Sequence, residues 1–249
     1  MSAVTDSAIM LRRNFKHTLR NPVTVFNAVL FPIVMALMFV YVLGGAFDVG
    51  VKYINYVTPG LIIMAVSYGL GATATAVNAD MTTGIINRFK AMDVSRAAVL
   101  TGHVVETTLR AVVAVAAIVG VAFAMGFRPA ASPVDWLAAA GLVVLLAFAA
   151  SWLTVALGLA AKSAESAGLG TVPLIMLPFL SSAFSPAGTM ATGVKQFAEY
   201  QPFTPIIETL RGLLTGTPST GTALAAVAWC AGIGLAGYLW ALRSFKRRA

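Results

Sequence analysis

The chain has 249 residues, of which 59% are apolar and only 10% charged, with a formal net charge of +8 and a mean hydropathy of +0.85. A soluble domain carries about 25% charged residues, so an ordinary soluble enzyme is excluded, and so is a disordered chain, which needs low hydrophobicity. The composition is that of a protein built into a lipid bilayer.

A bilayer core about 30 Å thick takes about 20 apolar residues as helix. Residues 8–20 come before the first such run. Ala8, Leu11, Phe15 and Leu19 recur there at helical spacing, with Arg13, Lys16 and Arg20 opposite, which predicts a helix lying in the membrane interface rather than a solvated flank. The uncharged run 21–47 that follows is longer than the roughly 7–15 apolar residues of a cleavable signal. It reads as a retained first span, about 24–45, with Pro32 as a possible kink. A second span, about 57–79, is rich in small residues (Gly69, Gly71, Ala72, Ala74, Ala76). Residues 80–103 read as the longest cytoplasmic loop. Within it Ile85, Ile86, Phe89 and Met92 recur around Arg88 and Lys90, which predicts a short amphipathic helix that lies on lipid or docks in a groove of another protein.

The third span, about 104–126, carries Glu106 and Arg110 in its first turns. At i,i+4 such a pair contributes about 0.2–0.5 kcal/mol, whereas each charge at the bilayer centre costs about 2.5–3.5 kcal/mol. The pair is therefore expected at the cytoplasmic interface or against a partner. Fourth and fifth spans follow at about 136–160 and 168–187, the fifth with Pro173 and Pro178 inside it. Residues 188–218 then lie outside. Pro202 and Pro205 break the chain, and 206–214 reads as a short half-apolar helix carrying Glu208 and Arg211. Between two spans this suggests a re-entrant hairpin, tolerated only where protein or water covers it. The sixth span, about 222–242, contains Gly232, Gly234 and Gly237, which permit close packing within the chain or against a second copy.

The fold class is thus all-α: one polytopic domain, 1–249, with six transmembrane helices. Thirteen of the 17 Lys and Arg residues fall on one side and four (Lys52, Arg128, Lys195, Arg211) on the other. By the positive-inside rule both termini are cytoplasmic, in a plasma membrane such as the bacterial inner membrane. The charge of +8 is then a topology signal and not a nucleic-acid footprint.

Enzymatic constellations are missing from the sequence. The nearest approach to a P-loop, 156–163, ends in Lys162-Ser163 but has Ala156 and Ala161 where the phosphate-binding nest needs glycine. His103 and Glu106 share a helical face but offer two ligands where a metal site needs three or four, and His17 is far away. Ser151, Ser181, Ser182 and Ser185 have no His or acid near in sequence, and the one cysteine, Cys230, excludes an internal disulfide. The span cores hold no Asp or Glu, which argues against a proton- or sodium-coupled carrier. Tyr68, Phe179 and Phe184 are candidates for lining a hydrophobic path, although a Phe in a lipid-facing span is more often plain packing.

Two stretches carry a family resemblance. Residues 84–102, with Gly84, Arg88, Phe89, Lys90, Met92, Ser95, Arg96, Leu100 and Gly102 in place, resemble the cytoplasmic loop of type-2 ATP-binding-cassette permeases, closest to the daunorubicin-resistance-like membrane subunit. Residues 202–216, with Pro202, Thr204, Pro205, Glu208, Arg211, Gly212 and Gly216, resemble the stretch before that family's last span, and Gly71, Thr73, Ala74 and Asp80 fit as well. Asp93 stands where the family often has proline. The resemblance implies a permease subunit of an ATP-driven exporter of hydrophobic or amphipathic compounds. It implies no cofactor on this chain, with ATP and Mg carried by separate cassette ATPase subunits, and a second copy or a sister permease completing the pore. Arg88, Phe89, Met92, Asp93 and Arg96 would dock the ATPase. Leu11, Phe15, Lys16 and Leu19 would form the flanking interfacial helix, and Pro202, Thr204, Pro205, Glu208 and Arg211 an outer gate. The alternatives are a membrane scaffold that docks a partner through 80–103 without transport, and a lipid-modifying enzyme using His103 or Glu106.

Overall fold

The computed structural model describes residues 22–47, 49–82 and 96–248, and among these there is no strand. Helix α1 (Pro22–Leu37) runs on through a π-helical turn (Met38–Leu43) and a 3-10 turn (Gly44–Ala46). Helices α2 (Tyr53–Tyr68) and α3 (Leu70–Thr82) follow as one apolar rod interrupted at Gly69. Next come α4 (Arg96–Ala124) and α5 (Pro133–Ala160). Two short helices, α6 (Ala164–Leu169) and α7 (Val172–Met176), lead into a 3-10 turn (Leu177–Leu180). A further 3-10 turn (Ala187–Thr189), α8 (Thr192–Tyr200), α9 (Phe203–Thr215) and α10 (Thr220–Arg248) complete the chain.

Among the described residues, four helical stretches are long and apolar enough to cross a bilayer: Tyr53–Thr82, Leu100–Ala124, Pro133–Ala160 and Thr220–Arg247. Two shorter apolar ones, Leu30–Ala46 and Ala164–Leu180, stand where the first and fifth spans were expected. The expected fifth helix is not continuous: it breaks at Gly170 and Thr171 and ends at Leu180, followed by irregular chain to Pro186. Pro173 and Pro178 fit this, each lying in the first turn of a new short element, where a missing N–H costs nothing. Pro205 likewise sits in the first turn of α9 and does not break it.

Helix α5 is the centre of the bundle. Leu142, Val143, Leu146, Trp152, Val155 and Leu159 are buried on it, against α3, α4 and α10. Lipid is as apolar as leucine, so such helices associate by close van der Waals fit rather than by escape from water. The glycines provide that fit. A Cβ on Gly237 would stand 2.5 Å from the Leu153 nitrogen, and one on Gly158 would stand 2.6 Å from the Ala74 carbonyl oxygen. Gly234 packs on Ala149. Of the two packings open for the sixth-span glycines, Gly234 and Gly237 serve the one within the chain, while Gly232 has open space around it. The other side of α10 leaves Leu224, Val227, Leu235 and Trp240 exposed, an apolar face suited to hydrocarbon and not to water.

The connection expected over 80–103 as a cytoplasmic loop is shorter than that. Helix α3 continues to Thr82 and α4 begins at Arg96, so Asp80 and His103 belong to helices. Their polarity looked like a loop signal, but the structure pairs them in the α3–α4 contact, His103 Nε2 lying 3.1 Å from Asp80 Oδ2, with His103 buried and Asp80 partly buried.

Candidate functional site

Broken backbone in a membrane must find hydrogen-bond partners inside the protein. Residues 181–186 are such a break, and the structure surrounds them with donors. Tyr56 Oη donates to the Ser182 carbonyl at 3.1 Å and Tyr53 Oη to the Phe184 carbonyl at 2.9 Å. Both tyrosines lie in the first turn of α2. Arg211 on α9 adds a charge-assisted bond from Nη2 to the Ser182 carbonyl at 2.8 Å and longer ones to the Tyr56 carbonyl at 3.3 Å. Its guanidinium lies over the Tyr56 ring at 3.9 Å, and Glu208 accepts from its Nη1 at 2.6 Å. Thr204 Oγ1 accepts from the Ser182 N–H and from Gln201 Nε2, both at 3.4 Å. Ser182 Oγ is buried and has no hydrogen-bond partner.

Helix α9 is placed for this by its apolar stripe. Phe203, Ile206, Ile207, Leu210 and Leu214 recur at helical spacing and are buried. The stripe turns Arg211 toward α2 and the broken segment. Gly216, at φ +74°, closes the helix in the left-handed conformation that favours glycine. Three of the five expected outer-gate residues, Thr204, Glu208 and Arg211, therefore meet around Ser182. Pro202 and Pro205 shape the start of α9, and the Pro205 carbonyl accepts from Thr209 at 2.7 Å.

An aromatic cluster lies against the segment. Phe184 stacks on Phe39 with ring centroids 4.0 Å apart, and Phe179 lies 5.3 Å from Phe184. Phe47 and Tyr53 stack at 5.3 Å beside them. The structure thus joins two of the three expected path residues, whereas Tyr68 stacks on Phe31 at 4.1 Å. Beside α8 opens a groove of about 810 Å³, lined by Leu177, Phe197, Tyr200, Trp229, Gln196 and Glu199 among others.

A second polar cluster sits halfway along the bundle. Arg110 Nη1 donates to Glu106 Oε1 at 3.2 Å, while its Nη2 donates to the Gly69 carbonyl at 2.9 Å and to Thr73 Oγ1 at 2.6 Å. Thr73 and Thr107 hydroxyls lie 2.7 Å apart, and Thr107 donates to the His103 carbonyl at 2.8 Å. The pair expected at the interface or against a partner thus faces the chain's own α2–α3 interruption, in keeping with the rule that charges in membranes turn into the bundle. Further along α3, Asn78 Nδ2 donates to the carbonyls of Gly158 and Ala161, at 3.0 and 2.7 Å. It caps the C-terminus of α5, where carbonyls lack helical partners.

Sequence reasoning missed Tyr53, Tyr56, Asn78 and the Thr73–Thr107 contact. Tyrosines at the start of a span read as an interfacial belt, and only the fold shows what their hydroxyls meet. The expected interfacial helix (Leu11, Phe15, Lys16, Leu19) and the docking residues Arg88, Phe89, Met92 and Asp93 lie outside the described residues, while Arg96 opens α4.

The family model of the ABC-2 type transporters matches residues 6–215. The chain is 31% identical over 205 residues to the daunorubicin resistance ABC transporter permease protein DrrB1 of Streptomyces coeruleorubidus, covering 82% of this chain and 71% of that protein. It is 25% identical over 239 residues to the probable doxorubicin resistance ABC transporter permease protein DrrC of Mycobacterium tuberculosis, covering 92% of this chain and 84% of that one.

Proposed function

The chain belongs to the ABC-2 type transporter family, and on that premise we propose that it is the membrane-spanning permease subunit of an ATP-driven exporter of hydrophobic or amphipathic compounds, drugs or lipids among them. The family match over most of the chain carries this reading, and the relatives' names, both of drug-resistance permeases, support the substrate class.

In this reading the chain crosses a bacterial inner membrane six times with both termini inside, and two copies, or one copy and a sister permease, form the pore. Separate cassette ATPases bring ATP and Mg and dock on Arg88, Phe89, Met92, Asp93 and Arg96, flanked by the interfacial helix of residues 8–20. Nucleotide-driven closure of the ATPases pulls on the 83–95 connection between α3 and α4. At the outer side, the 181–186 segment held by Arg211, Tyr53 and Tyr56 is the gate, with Phe179 and Phe184 as an apolar surface beneath it. A segment held by hydrogen bonds across three elements suits a gate, because it closes in one defined geometry yet is not part of a continuous helix.

The test is co-purification with the cassette ATPase. Phe89→Ala should weaken the complex while leaving membrane insertion intact, and reversing Arg88 should weaken it more than Arg88→Ala if the ATPase groove is acidic. An undiminished complex in Phe89→Ala would refute the docking assignment.

A further inference from the structure

The two polar clusters share one element. The outer end of α2 is tied to the gate segment by Tyr53 and Tyr56, and Gly60 is packed so tightly there that a Cβ on it would stand 2.6 Å from the Ala183 Cβ. Its inner end stops at Gly69, whose carbonyl is held by Arg110 of α4. Beyond Gly69, α3 is fastened to α4 at two more levels, Thr73 to Thr107 and Asp80 to His103. The residues that join α3 to α4 are 83–95, the stretch that the exporter reading gives to the ATPase.

We infer that Arg110 is a positioning residue for the transport stroke, the clamp that makes α2, α3 and α4 move as one body from the cytoplasmic connection to the outer gate segment. The inference rests on the exporter reading for the source of the motion. Its physical basis is the fork of the guanidinium. Nη2 meets the backbone carbonyl at the interruption and the Thr73 hydroxyl together, while Nη1 holds Glu106. Without it, the joint at Gly69, whose φ of −75° and ψ of −11° stay right-handed, loses its brace from α4. A stroke on α4 would then bend the joint instead of pushing α2. An ammonium group keeps the charge opposite Glu106 but lacks the rigid planar fork needed for all three partners.

The test uses the full chain with its ATPase in proteoliposomes, comparing Arg110→Lys with wild type for ATP hydrolysis and for export of a hydrophobic fluorescent dye. The clamp predicts an intact complex, hydrolysis within about twofold of wild type, and export per ATP lowered about fivefold or more, the lower end of the usual range for coupling between sites. Thr73→Val, which keeps the charges and removes one acceptor of the fork, should fall between the two. An unchanged ratio of export to hydrolysis in Arg110→Lys overturns the inference, and so does a proportional loss of complex, hydrolysis and export, which would make Arg110 a folding residue only. If wild type exports nothing with its ATPase, the exporter reading fails, and the clamp is then read by hydrogen exchange on the chain alone. Faster exchange in α2 and α3 around Gly69 in Arg110→Lys supports it, and unchanged exchange overturns it.

Discussion

Replacing Arg211 with glutamine should unfasten the outer segment. The guanidinium makes one short charge-assisted bond to the Ser182 carbonyl, worth about 1.5–3 kcal/mol. Its 3.3 Å bonds to the Tyr56 carbonyl are weaker, together about 0.5–1.5 kcal/mol. Its position over the Tyr56 ring adds about 0.5–2 kcal/mol. The bond to Glu208 contributes least, about 0–1 kcal/mol, because that carboxylate is 38% exposed. The Ser182 carbonyl keeps its Tyr56 hydroxyl, so no acceptor is orphaned there. Of these, only the Ser182 bond joins Arg211 to the broken segment, so the loss toward its opening is about 1.5–3 kcal/mol, and each 1.4 kcal/mol is tenfold in an equilibrium. A cysteine at position 182 reads this directly, since the native hydroxyl is buried and makes no hydrogen bond that the substitution would break. The one native cysteine, Cys230, is fully buried and does not compete. In Ser182→Cys, adding Arg211→Gln should raise the rate of labelling by an impermeant maleimide about tenfold or more, the lower end of that range, through the larger open population. Equal labelling rates with and without Arg211 would refute the assignment of Arg211 as the fastening of this segment.

Gly237→Leu should separate α10 from α5, because the neighbouring atoms are backbone and cannot swing aside. A cost of about 1–3 kcal/mol or more is expected as a lower melting temperature in detergent, with Gly232→Leu, which meets open space, as the silent control. Asn78→Ala removes two hydrogen bonds from the C-terminus of α5 and should cost about 2–3 kcal/mol in the same assay, with the inner end of α5 exchanging hydrogen first. Ser132→Ala removes the capping box with Asp135 at the N-terminus of α5 and should cost only about 1 kcal/mol. For topology, a cysteine at Lys195 should label from outside and one at Lys90 only after permeabilisation, and the reverse pattern would overturn the orientation.

Helix positions were largely legible in the sequence because uncharged length is a strong signal. Where the reading went astray, the cause was a contact from far along the chain. Gly69 lies in an uninterrupted apolar run, and what meets its carbonyl is Arg110, 41 residues later. Asp80 and His103 read as loop residues because each is polar alone, while paired with one another they belong to the two helices that flank the connection. The Glu106–Arg110 pair was expected at the interface or against a partner, and its contacts within the same chain, at Gly69 and Thr73, were not visible from spacing. The cluster around Ser182 was half legible. The stripe of α9 and its Glu208–Arg211 pair follow from local spacing, whereas the partners of Arg211 at Tyr56 and Ser182 come from two other elements, the first of them 155 residues away.

The central claim is that this chain is the permease of an ATP-driven exporter. The most direct measurement reconstitutes it with a cassette ATPase encoded beside it in proteoliposomes and follows a hydrophobic fluorescent compound against ATP. ATP-dependent movement of the compound, lost when either subunit is omitted and accompanied by compound-stimulated hydrolysis, is the result predicted. A stable complex that hydrolyses ATP at a rate indifferent to the compound and moves none of it would contradict the account and favour a membrane scaffold.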